Sequence, residues 1–488
     1  MKKYFTTFCF LSLLFVNLSF VKSSAYVTDY VIAASETVKA DSEWVTVVYE
    51  LQKNYPNSKV IFYEKSLKEL LPELRILRPR YLAVVDKPEN INREFVIEGN
   101  IICRTIDEDI YDDYIWGIIS GYSYKDALRT VRQSSKSFVL KTALSTTSEV
   151  RSGVWFDRMA WIDDGVKGRW GEKRFPSDEV HSYETDNPQE LLTIFYQKWK
   201  ELDPDVILTS AHATQDNLEM PFSIGNVKSE DGRLYAEFSL PQNMPETKKP
   251  RVYLPIGNCL IGDMNNTDQS MASAWLSSGG ATAMLGYVVS TWYGRNGWGA
   301  LKYYLSAPSK HTLAEAAFLN RQDMLTQEYR NNPDLITVKG DFVNYGDRAM
   351  FRIDYDLRTQ LSIVPTIHDI GFIYDRDVVV YYGDPAWNVR TQNVPDMDCY
   401  DFSFGKNGNH YIIKLKTKDN FSIEKTSGKG FKDEHVCDIP IAYFFPERIF
   451  SPEIVSNKNN LDIAFDENFL LVYDKDLEPG KEYTIIIK

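Results

Sequence analysis

The sequence predicts an α/β fold, a mostly parallel sheet with flanking helices, followed by a C-terminal β-sandwich. Three observations lead there. Up to about residue 330, short apolar runs of strand length alternate with segments whose apolar residues recur every three or four positions. Strands alternating with helices imply a parallel sheet joined by right-handed crossovers. After about residue 340 the helical period fades, and the last hundred residues alternate short strands with polar turns, the pattern of a sandwich. With 488 residues, 43% of them hydrophobic, the chain can fill the cores of two or three domains and is not disordered.

The elements follow in order. Residues 1–25, "MKKYFTTFCFLSLLFVNLSFVKSSA", open with Lys2 and Lys3, followed by an apolar run and small residues, the layout of a secretory signal peptide. "YVIAAS" (30–35), "KVIFYE" (59–64) and "RYLAVVD" (80–86) read as strands, with helices over 42–56 and 66–79. Ser66 and Glu69 have the spacing of a capping box, and Pro72 should kink that second helix. An acidic loop from 107 leads to an apolar segment and a helix capped by Ser123. "SFVLKTAL" (137–144) and "RMAWIDDG" (158–165) are further strands. Asn187-Pro188 opens a helix whose stripe is Leu191, Phe195, Trp199 and Leu202. "DVILTSAHA" (205–213) is a strand, and "SIGNVKSEDGRLYAEF" (223–238) a hairpin on an Asp-Gly turn. Then come "RVYLPIGNCLIGD" (251–263), a helix over 268–278, the strand "ATAMLG" (281–286) and helices over 297–330. "FVNYGDRAMFRIDYDL" and "DVVVYYGDPAW" look like strands.

Charge and cysteines narrow the function. The leader holds three lysines and no acid, so the formal charge of −13 becomes −16 without it. An acidic surface argues against nucleic acid as partner. Past the leader no stretch reaches the ~18 apolar residues of a membrane span. The expected location is outside the cytoplasm: periplasm, cell surface or medium. Cys103, Cys259, Cys399 and Cys437 remain, and in an oxidising compartment disulfides are the default. Cys399 with Cys437 and Cys103 with Cys259 are both open pairings.

Two strands end in reactive residues: "DVILTSA" in His212 and "VYLPIGN" in Cys259. Sites in open α/β sheets gather beyond the carboxyl ends of strands, and a base beside a thiol is what nucleophilic catalysis needs. "DVILTSAHA", "VYLPIGNCLIG" and "SSGGATAMLGYVVSTW", with "AWIDDG" upstream and "VVVYYGDPAW" downstream, resemble the gingipain branch of the caspase-like cysteine peptidases. The resemblance implies a caspase-haemoglobinase-like fold over 26–385, in two sub-units of about 26–145 and 146–385, and an immunoglobulin-like sandwich over 386–488. It implies Cys259 as nucleophile, His212 as its base and acid, and an oxyanion hole from the N–H groups of Ala213 and Cys259. It points to Asp163 or Asp164 as orienting or cleft-lining groups and Trp292 as a pocket wall. Protein or peptide would be the substrate, cut after a basic residue if an aspartate lines the pocket; Arg295 is the one candidate to receive an acidic residue instead. The sequence departs from the family at Ala213, where His-Gly is the pattern, and at Asn258, where a small residue usually precedes the cysteine.

Other readings stay open. Cys259 could be buried or disulfide-bonded, and His212 a satisfied core residue. The chain could be an inactive homologue that binds peptides or assembles surface proteins, or a structural surface protein sharing the fold alone. No cofactor is implied and no HExxH-type metal spacing occurs. Asp107, Glu108, Asp109, Asp112 and Asp113 are the one place for a structural calcium ion, although they lack glycine-punctuated calcium-loop spacing.

Overall fold

Tyr30–Ser35 is buried at all six positions, which is why it reads as an unbroken apolar run: helices cover both faces of the sheet it belongs to. The structure is a computed structural model and describes residues 29–265, 267–426 and 439–488. The 1–25 leader and Cys437 lie outside the described residues.

The central sheet has twelve strands. Its order is Lys59–Tyr63, Tyr30–Ser35, Tyr81–Val85, Ile115–Ile119, Val379–Tyr382, Ala281–Tyr287, Arg251–Leu254, Val206–Leu208, Thr142–Ser145, Arg158–Ile162, Arg169–Lys173 and His181–Glu184. The first four are mutually parallel. Val379–Tyr382 is parallel to Ile115–Ile119 and antiparallel to Ala281–Tyr287, so it joins two parallel blocks of opposite direction. Just beyond it, the buried Asp384 accepts hydrogen bonds from the hydroxyls of Tyr30 and Tyr55, each at 2.8 Å, and from Ser134 at 3.1 Å. The turn after Val379–Tyr382 is thereby tied to the Tyr30–Ser35 strand and to the helix ends at Tyr55 and Ser134.

The helices follow the sequence pattern closely. Ser66 and Glu69 form a capping box, as do Ser123 and Asp126. Pro72 falls in the first turn of Leu71–Leu77, where its missing N–H costs nothing. Glu190–Leu202 buries Leu191, Phe195, Trp199 and Leu202. Trp199 stacks on Trp275, which stacks on Tyr253 of the cysteine-bearing strand.

One stretch differs from its sequence reading. Residues 342–357 form helices, Phe342–Tyr345 and Ala349–Gln360, and Ile367–Asp375 follows as a third. Ala349, Ile353 and Leu357 make the buried stripe at a spacing of four. Phe351 and Tyr355 point to solvent, 70% and 56% exposed. Exposed aromatics off the stripe imitate strand alternation.

The C-terminal region holds two antiparallel sheets. One orders Tyr400–Asn407, His410–Thr417, Glu482–Ile487 and Ile454–Asn457; the other orders Ile441–Phe444, Phe469–Val472 and Ile463–Asp466. Ile413, Leu415, Ile441, Leu470, Val472 and Ile485 fill a separate core between them. The three-stranded sheet is apolar on its other face too. Ala442, Phe444, Phe469 and Leu471 join the core of the main body, where Phe318 meets both phenylalanines edge to face. A strand's period of two allows this double use.

The polar part of this contact gathers acids. Arg78 pairs with Asp107 and Glu467, at 3.0 and 2.5 Å. Arg448 pairs with Glu467 and donates to the carbonyls of Arg78, Pro79 and Asp113. Asp109 and Asp466 share a hydrogen bond across the contact, and burial raises both above the usual carboxylate range. Burial, with Asp107 and Asp109 adding repulsion, pushes Asp113 up to about 9. Unfolded aspartates titrate near ~3.9, so the folded state holds protons that the unfolded chain has released. That stabilisation is complete below about pH 4 and is lost as the pH rises through the folded values. Urea midpoints should therefore fall between about pH 5 and about pH 9, and Asp113→Asn should flatten the slope. A midpoint that rises over this range would contradict the assignment.

Candidate active site

Arg158–Ile162, Thr142–Ser145, Val206–Leu208, Arg251–Leu254 and Ala281–Tyr287 lie side by side and all parallel. Their carboxyl ends therefore share one edge of the sheet, and the chain beyond each enters the same region. Leu208 is in register with Leu254, and the N–H of Thr209 extends the pairing to the carbonyl of Leu254 at 3.0 Å. His212 follows four residues after Leu208, and Cys259 five after Leu254. Both line a cleft of about 520 Å³, with Asp164, Ser210, Glu219, Phe222, Gly257 and Thr291 among the other walls.

The cysteine loop is held tightly. A β-carbon at Gly257 would stand 2.6 Å from the Ser210 hydroxyl, so the approach of the two loops depends on glycine there. Cys259 is partly exposed, and its Sγ accepts the N–H of Thr291 at 3.2 Å. Leu260, the next residue, has φ +62°, a left-handed conformation that costs a branched residue about 1 kcal/mol or more. It is fixed by its N–H to the Val289 carbonyl at 3.0 Å. The chain thus turns sharply just past the sulfur.

The histidine loop is a short hairpin. The carbonyl of His212 accepts from the N–H of Glu219 at 3.0 Å, and the N–H of Thr214 donates to Asn217 at 2.8 Å. Ala213 bridges to Leu218, yet these two bonds leave its own N–H out. The His212 side chain is exposed. Past the hairpin, Phe222 and Ser223 both adopt positive φ, +62° and +56°, and present an exposed phenylalanine on the cleft wall.

The remaining sequence candidates separate. Asp164 lines the cleft, and its Oδ1 accepts from the N–H and hydroxyl of Ser148 at 3.1 and 2.9 Å. Asp163 points the other way. It is fully buried, accepts the N–H groups of Gly165 and Val166, and pairs with Arg169 at 2.5 Å. Trp292 packs edge-on against Tyr374 and is not among the cleft walls; its neighbour Thr291 is. Arg295 is buried against Asp323 at 2.9 Å and is not among the cleft walls.

Cys103 and Cys259 are both free thiols, so the pairing of those two does not form. Cys103 instead donates to the Tyr114 carbonyl at 2.9 Å, and burial pushes its thiol well above the ordinary value. In the acidic run, Asp107 is taken by Arg78 and Asp112 by Arg321. Among the described residues no group of three or more His, Cys, Asp or Glu could hold a metal ion. Sequence reasoning missed Thr291, Glu219 and Phe222. A strand end beside the cysteine strand could have flagged Thr291; nothing in the sequence signals the backbone turn at Phe222.

No family model and no curated protein matches the chain. Solved structures do. The chain is similar to the Arg specific cysteine proteinase gingipain R at 9% identity, over 95% of this chain and 92% of that one, with a TM-score of 0.39. It is similar to the complex of the Porphyromonas gingivalis RgpB pro- and mature domains at 9% identity, 93% and 92% coverage and a TM-score of 0.38. A third match, a protease, has 8% identity, 80% and 86% coverage and a TM-score of 0.40.

The split between the two aspartates is testable. Asp163→Ala leaves Arg169 and two turn amides without their acceptor, and should lower stability by about 3 kcal/mol in urea unfolding. Asp164→Asn keeps an oxygen for Ser148 and should unfold within about 0.5 kcal/mol of wild type. Equal losses would show that both carboxylates are structural.

Proposed function

We propose that the chain is an exported cysteine endopeptidase that cuts after basic residues. The observation that carries the reading is that Cys259 and His212 line one cleft, beyond the ends of adjacent parallel strands. Cys259 attacks the scissile carbonyl as thiolate, forming the acyl-enzyme. His212 takes the thiol proton and hands it to the leaving amine. Water, deprotonated by His212, then releases the acid product and restores the thiol. The N–H groups of Ala213 and Cys259 receive the oxyanion. Ala213 is not among the described residues with positive φ, so its β-carbon is accommodated without strain and the departure from His-Gly does not block this role.

The cleft supports a basic residue on the substrate. Its walls carry Asp164 and Glu219, and among the described residues neither Lys nor Arg lines it. A carboxylate in a partly desolvated cleft favours a guanidinium or ammonium and repels an acid. Export rests on the leader pattern. Among the described residues no helix is long and apolar enough to cross a membrane.

Matched fluorogenic peptides ending in Arg, Lys, Asp or Leu test the reading. The reduced protein should cleave the Arg and Lys peptides, and Cys259→Ala should lower the rate by at least about 10³-fold. Asp164→Asn or Glu219→Gln should raise KM for the Arg peptide roughly tenfold, the loss of one charged contact. Cleavage confined to Asp peptides would overturn the charge argument. Equal turnover by Cys259→Ala would overturn the nucleophile. No turnover by the folded, reduced protein, and none after Ala213→Gly, would favour an inactive peptide-binding homologue.

A further inference from the structure

We infer that Asn258 is the positioning residue that sets His212 against Cys259; the inference rests on the peptidase reading above. Asn258 is fully buried and directly precedes Cys259. Its Oδ1 accepts the Thr209 hydroxyl at 2.6 Å, and its Nδ2 donates to the Ala211 carbonyl at 2.7 Å. Ala211 directly precedes His212. One amide side chain therefore ties the backbone on one side of the nucleophile to the backbone on one side of the base.

The rest of the surroundings brace that amide. The Thr209 hydroxyl also meets the Tyr253 hydroxyl at 2.9 Å. The Asn258 carbonyl accepts the Thr291 hydroxyl at 3.0 Å, and the Thr291 N–H reaches Cys259 Sγ. Three neighbouring strand ends are thus linked through residue 258. Each half of the amide has a partner it alone can serve: the oxygen meets a donor, the nitrogen an acceptor. A small residue there would leave the Ala211 carbonyl unpaired and free the histidine loop. Asn258 is fully buried and is not among the cleft walls, so its effect must pass through the geometry of the pair. Misplacement by about 1 Å can cost roughly 10²-fold in rate.

Asn258→Ala and the isosteric Asn258→Asp test this by two readouts, peptide turnover and the pH profile of Cys259 alkylation by iodoacetamide, with the melting curve as a check on folding. Asn258→Ala should lose roughly 10²-fold in kcat with little change in KM, and its alkylation profile should differ from that of wild type. Asn258→Asp keeps the Thr209 contact but sets a carboxylate against the Ala211 carbonyl. It should behave like Asn258→Ala at pH 8 and recover toward wild type at acid pH, where the protonated carboxyl can donate. A merely structural role would not give this pH-dependent recovery. Folded variants with wild-type kcat and wild-type alkylation profiles would overturn the inference and leave the peptidase reading intact. No peptide turnover by the folded, reduced wild type would overturn both.

Discussion

The cleft exists because Val206–Leu208 and Arg251–Leu254 pair in parallel, with Leu208 opposite Leu254. A register slip of one residue would turn every side chain of one strand to the other face. Here that would drive the Tyr253 ring out of its stack with Trp275 and the Thr209 hydroxyl away from Asn258. The pairing is held from both sides by fully buried residues, so the slip is closed off. The positions from which the His212 and Cys259 loops start are then as rigid as the core.

What those loops do beyond the strands is local chemistry laid on that rigid base. Gly257 lets the two loops approach, Leu260 turns the chain through a costly backbone conformation, and Thr291 reaches the sulfur from a third strand. Phe222 and Ser223, both at positive φ, line the cleft, and Leu260, also at positive φ, directly follows the cysteine. Such strain persists only where the surroundings over-determine it, and the neighbouring strand ends supply that constraint. The C-terminal sandwich follows a different logic. Its three-stranded sheet faces a core of its own on one side and the main body on the other, so the stability of the two regions is coupled through Phe318, Phe444 and Phe469.

Much of the fold was legible because parallel strands buried on both faces appear as unbroken apolar runs, and because caps such as Ser66 with Glu69 act over three residues. The misread stretch, 342–357, shows the limit. Its buried stripe of Ala349, Ile353 and Leu357 is thin, and the exposed Phe351 and Tyr355 mask it. At the site, strand-end placement made His212 and Cys259 visible. It did not distinguish Asp163 from Asp164 or Trp292 from Thr291, since each pair differs by one position and adjacent residues leave a strand toward opposite sides.

The sequence by itself determined the alternation of strands and helices, the residue types at the strand ends and the acidic balance of the chain, because each is encoded within a few neighbouring residues. Only the tertiary structure decided which aspartate faces the cleft, that Cys103 stays apart from Cys259, and that Asn258 spans from one loop to the other. Those outcomes depend on contacts between residues 16 and 47 positions apart in the chain and on the separation of two cysteines, which no local pattern records and which only the packed sheet decides.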